Sequence, residues 1–190
     1  MKPISRARMK GFTLVELMVA ITVLALLITL AYPSYTTFIQ NAQIRSAAES
    51  VINGLQLARA EAIRNNQNVQ FSLENTSNGA AITGGTDWSV KSGAALDQTV
   101  QARRENSTSS LARVGVRNAV SATAAAAGAG LPANIVFTGL GRLSTATTVR
   151  QIDITGASGA RRLAIVLTPG GDVRLCDPLL SLASNPQGCS

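Results

Sequence analysis

Residues 12–31, FTLVELMVAITVLALLITLA, limit more than any other stretch what this chain can become. Thr13, Thr22, Thr29 and one acid, Glu16, are the only polar residues among those 20 positions. As a helix rising ~1.5 Å per residue, the run is roughly 30 Å long, the thickness of a bilayer's hydrocarbon. Lys2, Arg6, Arg8 and Lys10 precede it and no acid does. Positive charge is retained on the cytoplasmic side, so this asymmetry keeps the N-terminus inside and sends the chain beyond Ala31 across the membrane.

A secretory signal peptide has the same basic and apolar regions, but it requires a small-residue cleavage site after them. Directly after Ala31 the chain reads Tyr32-Pro33-Ser34-Tyr35, and the small residue, Gly11, stands instead between the charges and the apolar run. A cut after Gly11 would remove the charges, keep the apolar helix and create a new amine on Phe12. Glu16 lies one helical turn from that amine. A carboxylate inside an apolar span costs on the order of 2.5–3.5 kcal/mol on insertion scales, so Glu16 is a functional candidate. The plainer reading is a glutamate near the interface that snorkels to water.

The stretch GFTLVELMVAITVLALL resembles the leader junction and N-terminal helix of type IV pilins and type II secretion pseudopilins. The resemblance implies that a prepilin peptidase cleaves between Gly11 and Phe12 and N-methylates Phe12. It also implies that Glu16 pairs with the amine of a neighbouring subunit when a filament assembles.

The formal charge is +7; without the leader's four cations, Lys91 and 12 arginines face 10 acids, or +3. Net charge of that size compels no electrostatic partner. The two cysteines, Cys176 and Cys189, would lie in an oxidising compartment, where a disulfide is expected and two free thiols are the alternative. Histidine is absent, which removes a Ser-His-Asp triad, a Cys-His pair and any histidine metal site. The phosphate-cradling G-x-x-x-x-G-K-S/T pattern is absent as well. An enzyme is not expected, and no cofactor or metal is called for.

Pro33 should bend or interrupt the helix as it leaves the bilayer. Beyond it Phe38, Ala42, Ala48, Ile52, Leu55, Ala58, Ala62 and Ile63 recur at spacings of mostly three and four, an amphipathic helix with an Ala-rich face. That face would pack on a sheet, or in its first part also meet other subunits. Asn65-Asn66 marks its end. Alternation at Val69, Phe71 and Leu73 predicts a strand, and residues 86–91, 113–117, 134–138, 149–155, 162–168 and 172–176 read as further short strands between glycines. Residues 121–130, SATAAAAGAG, read as a loose loop or an irregular insertion. The expected fold is α+β and pilin-like, a long N-terminal helix packed on an antiparallel β-sheet domain. Its parts are a leader (1–11), a transmembrane and filament-core helix (12–32), an amphipathic continuation (33–66) and a β-rich globular domain with a C-terminal disulfide loop (67–190).

In this half ARAEAIRNNQNV, Trp88, VFTGLGR and GGDVRLCDP, in that order, resemble the GspH/FimT group of minor pilins. The cysteine-closed C-terminus is more typical of the FimT/FimU members of that group. The resemblance implies a minor pilin that assembles into, primes or caps a type IV pilus. Its implied partners are other pilins, the prepilin peptidase and an inner-membrane assembly platform. It implies a single-pass inner-membrane protein with a periplasmic C-terminal domain, found in the pilus after assembly. Two alternatives stay open: a GspH-like pseudopilin of a type II secretion system, and a DNA-binding minor pilin. Some FimT-like proteins bind DNA through a G-R-x-R motif. Here Gly171 and Arg174 match it, but Asp172 replaces the first arginine with the opposite charge. Arg161 and Arg162 are the other candidate phosphate contacts.

Overall fold

The computed structural model describes residues 11–104, 111–156 and 160–189; the basic leader, residues 1–10, lies outside them. The chain divides into two compact units, Met1–Phe38 and Ile39–Ser190. One helix, α1 (Leu14–Asn65), contributes to both.

Thr13 starts α1. Its side-chain oxygen accepts the Glu16 amide at 3.2 Å, which makes Thr13 the N-cap and Glu16 the third helical residue. The pattern Thr-x-x-Glu is a capping-box sequence, and an acid in the first turn also suits the positive end of the helix dipole. Asn65-Asn66 ends the helix as expected. Asn66 adopts a left-handed φ of 48°. The Asn66 amide donates to Ile63 at 3.3 Å and the Gln67 amide to Ala62 at 3.2 Å, so two of the terminal carbonyls are satisfied. Among the described residues no single helix is long and apolar enough to cross a membrane. Leu14–Thr29 and Ser34–Asn65, the pieces on either side of the stretch holding Pro33, pass that test together by length and composition only.

In the second unit α1 buries Ile44, Ala47, Ala48, Val51, Leu55, Ala58 and Ala62. This face differs from the expected one. Ala48, Leu55, Ala58 and Ala62 belong to it, but Phe38 (68% exposed) and Ile63 (53%) do not, and Ile44, Ala47 and Val51 do. After the helix the described residues form ten strands: β1 (Val69–Leu73), β2 (Thr76–Ser77), β3 (Ala80–Ala81), β4 (Trp88–Ser92), β5 (Gln98–Arg103), β6 (Arg113–Arg117), β7 (Ala133–Phe137), β8 (Gln151–Thr155), β9 (Leu163–Leu167) and β10 (Val173–Cys176). They make two four-stranded antiparallel sheets, ordered β5-β4-β1-β7 and β10-β9-β8-β6, and a small β2-β3 hairpin. One apolar core joins helix and sheets, with Phe71, Leu73, Ile135 and Phe137 from the first sheet and Ile152, Ile154, Ile165 and Leu167 from the second.

Helix and first sheet approach closely at Gly54. A Cβ there would stand 2.6 Å from Phe71 Cε2 and 3.1 Å from two atoms of the Trp88 indole. Neither ring can yield. Phe71 is fully buried, the two rings pack at 5.6 Å, and Trp88 Nε1 donates to the buried Ser50 hydroxyl at 2.9 Å. Gly54→Ala should gain about 1 kcal/mol of helix propensity, yet overpacking a filled core costs about 1–3 kcal/mol. The expected result is a lower thermal midpoint, and a rise in that midpoint would refute the close approach.

Residues 121–130 form an irregular insertion without helix or strand, one of the two expected readings, and they are tied down, not loose. Asp153, fully buried on β8, accepts the Ala125 amide at 2.8 Å and Gln151 Nε2 at 2.7 Å. It is bridged by Arg162 at 2.6 Å. Gln151 exchanges two hydrogen bonds with the Ser121 backbone, and Arg117 donates to the Ala124 carbonyl at 2.6 Å. The next residues along the chain cover the open edge of β6: Gly128 donates to the Val114 carbonyl, and Val116 donates to the Ala129 carbonyl, both at 2.8 Å.

Candidate assembly site

The first unit supplies the elements that the sequence marks for processing and assembly. Gly11 and Phe12 precede the helix, Phe12 is 84% exposed, and among the described residues nothing approaches within 4 Å of where a Gly11 Cβ would stand. No described residue therefore crowds the peptide bond between them. Behind it Leu14, Val15, Leu17, Met18, Val19, Ile21, Val23, Leu24, Leu26, Leu27 and Ile28 are all more than half exposed. At 3.6 residues per turn these positions cover every side of the helix, so the whole cylinder is apolar, a surface for lipid or for other helices.

The polar residues on this cylinder are neutralised from within, with one exception. Thr13 caps the helix, Thr22 Oγ1 donates to the Val19 carbonyl and Thr29 Oγ1 to the Leu26 carbonyl, both at 2.8 Å. The Thr22 and Thr29 hydroxyl protons are thus taken up by the helix's own carbonyls. The Glu16 carboxylate has no hydrogen bond or ion pair with any described residue. An unpartnered carboxylate on an otherwise saturated apolar helix can be accommodated by snorkelling to water or by a cation brought from outside the chain. The capping-box pattern is the one signal in this stretch that hydropathy alone does not reveal.

At the other end of the chain Cys176 and Cys189 form a disulfide, 13 residues apart in sequence. Both are buried and pack with Ala164 and Val166 on the second sheet. The three arginines named as phosphate contacts have other partners. Arg162 has a side chain only 11% exposed, bridges Asp153, and donates to the carbonyls of Ser121, Ala122 and Thr123. Burial and full pairing withdraw it from any phosphate contact. Arg161 bridges the largely buried Asp177 at 2.7 Å, and Arg174 reaches the Cys189 carbonyl at 3.2 Å. Asp172, which interrupts the G-R-x-R match, pairs with Arg59 at 3.2 Å.

An all-round apolar helix whose acid has no partner among the described residues, and an antiparallel β unit built on the helix's second half, define a pilin-type subunit. The family model for the prokaryotic N-terminal methylation motif matches residues 6–32, and that for type II transport protein GspH matches residues 47–171. The chain belongs to the GspH family of type IV minor pilins and pseudopilins. Its fold is similar to that of the Pseudomonas aeruginosa type IV minor pilin FimU in two crystal structures. One matches with a TM-score of 0.54 at 17% identity, covering 75% of this chain and 95% of that one. The other has a TM-score of 0.50 at 16% identity, with 72% and 94% covered. No curated protein sequence matches the chain.

Proposed function

We propose that this protein is a minor pilin of a type IV pilus, a structural subunit with no catalytic role, processed between Gly11 and Phe12 and inserted once through the inner membrane with residues 67–190 in the periplasm. The observation that carries the reading is Glu16, without a partner among the described residues on a helix segment whose threonines each make a hydrogen bond within the helix. Cleavage after Gly11 by a prepilin peptidase leaves a cationic, methylated amine on Phe12. When an assembly platform lifts one subunit beside another, that amine meets the neighbour's Glu16 and removes the penalty of a lone carboxylate in an apolar setting. The pairing fixes register between subunits, while the apolar cylinder supplies the area. Pro33 then serves as the point at which the helix changes direction on leaving the membrane.

Glu16→Ala should leave membrane insertion intact, because it makes the segment more apolar, and should reduce fibre number at least tenfold. Fibre counts by electron microscopy together with membrane fractionation test this. Normal fibres in the variant would refute the role. A second reading, a pseudopilin of type II secretion, is favoured by the description of the matching family model. It predicts that the same variant loses protein export and keeps normal pili.

A further inference from the structure

We propose that the pocket lined by Arg142 and Arg150 receives an acidic side chain, flanked by apolar residues, from a neighbouring pilin subunit. The inference rests on the assembly reading above and names a surface of the globular unit through which that assembly becomes selective.

The pocket has a volume of about 620 Å³ and lies where the β7–β8 connection meets Pro169, the residue just before the turn into β10. Arg142 is exposed and makes no ion pair or side-chain hydrogen bond with any described residue. Arg150 is half-buried, and its Nη1 is held by the Thr147 and Val149 carbonyls at 2.9 Å each. Neither meets a carboxylate among the described residues, in a unit where Arg59, Arg161 and Arg162 all do. Two arginines sharing one concave site without an acid repel each other and attract a negative partner. Arginine also presents a planar donor fork that suits a carboxylate.

The rest of the wall argues for a polypeptide as the source of that charge. Leu140, Leu143 and Pro169 line the same pocket, and Leu140 is 79% exposed. Ile63, on the last turn of α1 and 53% exposed, adjoins it, since a Cβ on Gly141 would lie 2.7 Å from its Cδ1. Arginine anchors set beside apolar side chains are the composition of an energetically central protein contact. Thr138, Ser144 and Thr145 complete the wall, whereas a nucleic-acid backbone would call for a run of cations along a groove. The site is also preformed. Thr138 donates to the Arg142 carbonyl at 2.9 Å, Gly141 to the Thr138 carbonyl at 2.8 Å, and Leu143 to the Pro169 carbonyl at 3.2 Å. Little ordering is therefore needed when a partner arrives.

The test places a photoreactive amino acid at Leu140 in the full-length protein, in cells that assemble fibres, and maps the crosslinked residues by mass spectrometry. The expected result is a crosslink to another pilin subunit within a few residues of an Asp or Glu. Its yield should fall at least tenfold in the Arg142→Glu/Arg150→Glu double variant. Changing the partner's acid to arginine in that background should restore it. Arg142→Gln/Arg150→Gln, which removes charge without reversing it, should give an intermediate yield, with a retained cooperative thermal transition showing that the fold is kept. A crosslink that is unaffected by charge reversal overturns the proposal, as does one to a surface without acids. It is equally overturned if the crosslink is to nucleic acid. Failure of the assembly reading registers separately, as normal fibres and normal export in Glu16→Ala.

Discussion

Asp153→Ala is expected to lower the unfolding free energy by about 3–5 kcal/mol, because removing one partner of a buried ion pair leaves the other charge uncompensated. Here the stranded group is Arg162, 11% exposed, and the Ala125 amide loses its acceptor in the same step. For a unit of this size that loss corresponds to a fall in Tm on the order of 10 °C, measurable by thermal melting of the full chain in detergent micelles. The location of the damage is also specific. Residues 121–125 are held through Asp153, Gln151 and the two arginines, and the residues after them cover the β6 edge. Hydrogen exchange should therefore accelerate at the Val116 and Gly128 amides, whose acceptors join this segment to β6. The Val114 amide, which donates to the Gly84 carbonyl at 3.0 Å, should stay protected longer. Replacing both members of the closer pair, as in Asp153→Leu/Arg162→Met, should cost less than Asp153→Ala alone, since the more buried arginine is then not stranded and only the half-buried Arg117, 3.8 Å from Asp153, loses its acid. Equal losses in the two variants would refute the ion-pair account.

This network shows where the sequence stops being informative. Alternation in QIDIT predicts β8 with one apolar face, and Ile152 and Ile154 do lie in the core. Period-two patterning treats Gln151 and Asp153 as the wet face. They are fully buried because residues 121–125, which carry no pattern of their own, close over them. The same blindness applies to Arg162, which looks like a surface cation until its acid, nine residues upstream, is placed opposite it. Strand β5 escapes the sequence for another reason. QTVQAR is exposed at every position on a sheet edge, so neither face imposes apolar residues. β2 and β3, with two residues each, are too short for any periodicity. The seven strands that alternate with an apolar core face are legible, as is the end of α1, where Asn66 suits a left-handed cap. The shift of the helix face from Phe38 and Ala42 to Ile44, Ala47 and Val51 reflects spacing alone. Several stripes fit a helix rich in alanine, and only the sheets opposite decide which one is buried. At the candidate site the junction and Glu16 can be found from the sequence, because apolar runs and charge asymmetry are local properties. The pocket of Arg142 and Arg150 cannot, since it forms only when the β7–β8 connection and the β9–β10 turn meet.

Cys176→Ser/Cys189→Ser is expected to lower the unfolding free energy by about 2–5 kcal/mol, with the chain-entropy model giving ~3 kcal/mol for a loop of this length. The bridge fastens the segment after β10 to the sheet, and few other contacts do. Asp177 accepts from Arg161 and from the Leu179 amide, its own amide donates to the Gln187 carbonyl at 2.7 Å, and Arg174 holds the Cys189 carbonyl. Pro178 is buried beside Asp177, but Leu179 and Leu182 in the middle of the intervening loop are exposed, 75% and 43%, so burial holds the loop's ends more than its middle. Without the covalent link the segment should detach before the rest unfolds. Limited proteolysis should then cut within residues 177–189 at a concentration of protease that leaves the oxidised protein whole, and wild-type protein treated with reductant should behave in the same way. Part of the loss is also chemical, because each new hydroxyl is buried beside Ala164 and Val166. Cys176→Ala/Cys189→Ala separates that contribution, and should melt higher than the serine pair while remaining equally sensitive to protease. If the alanine variant resisted protease as well as the oxidised protein does, the anchoring would have to come from the Arg161–Asp177 pair and its neighbours instead of the bridge.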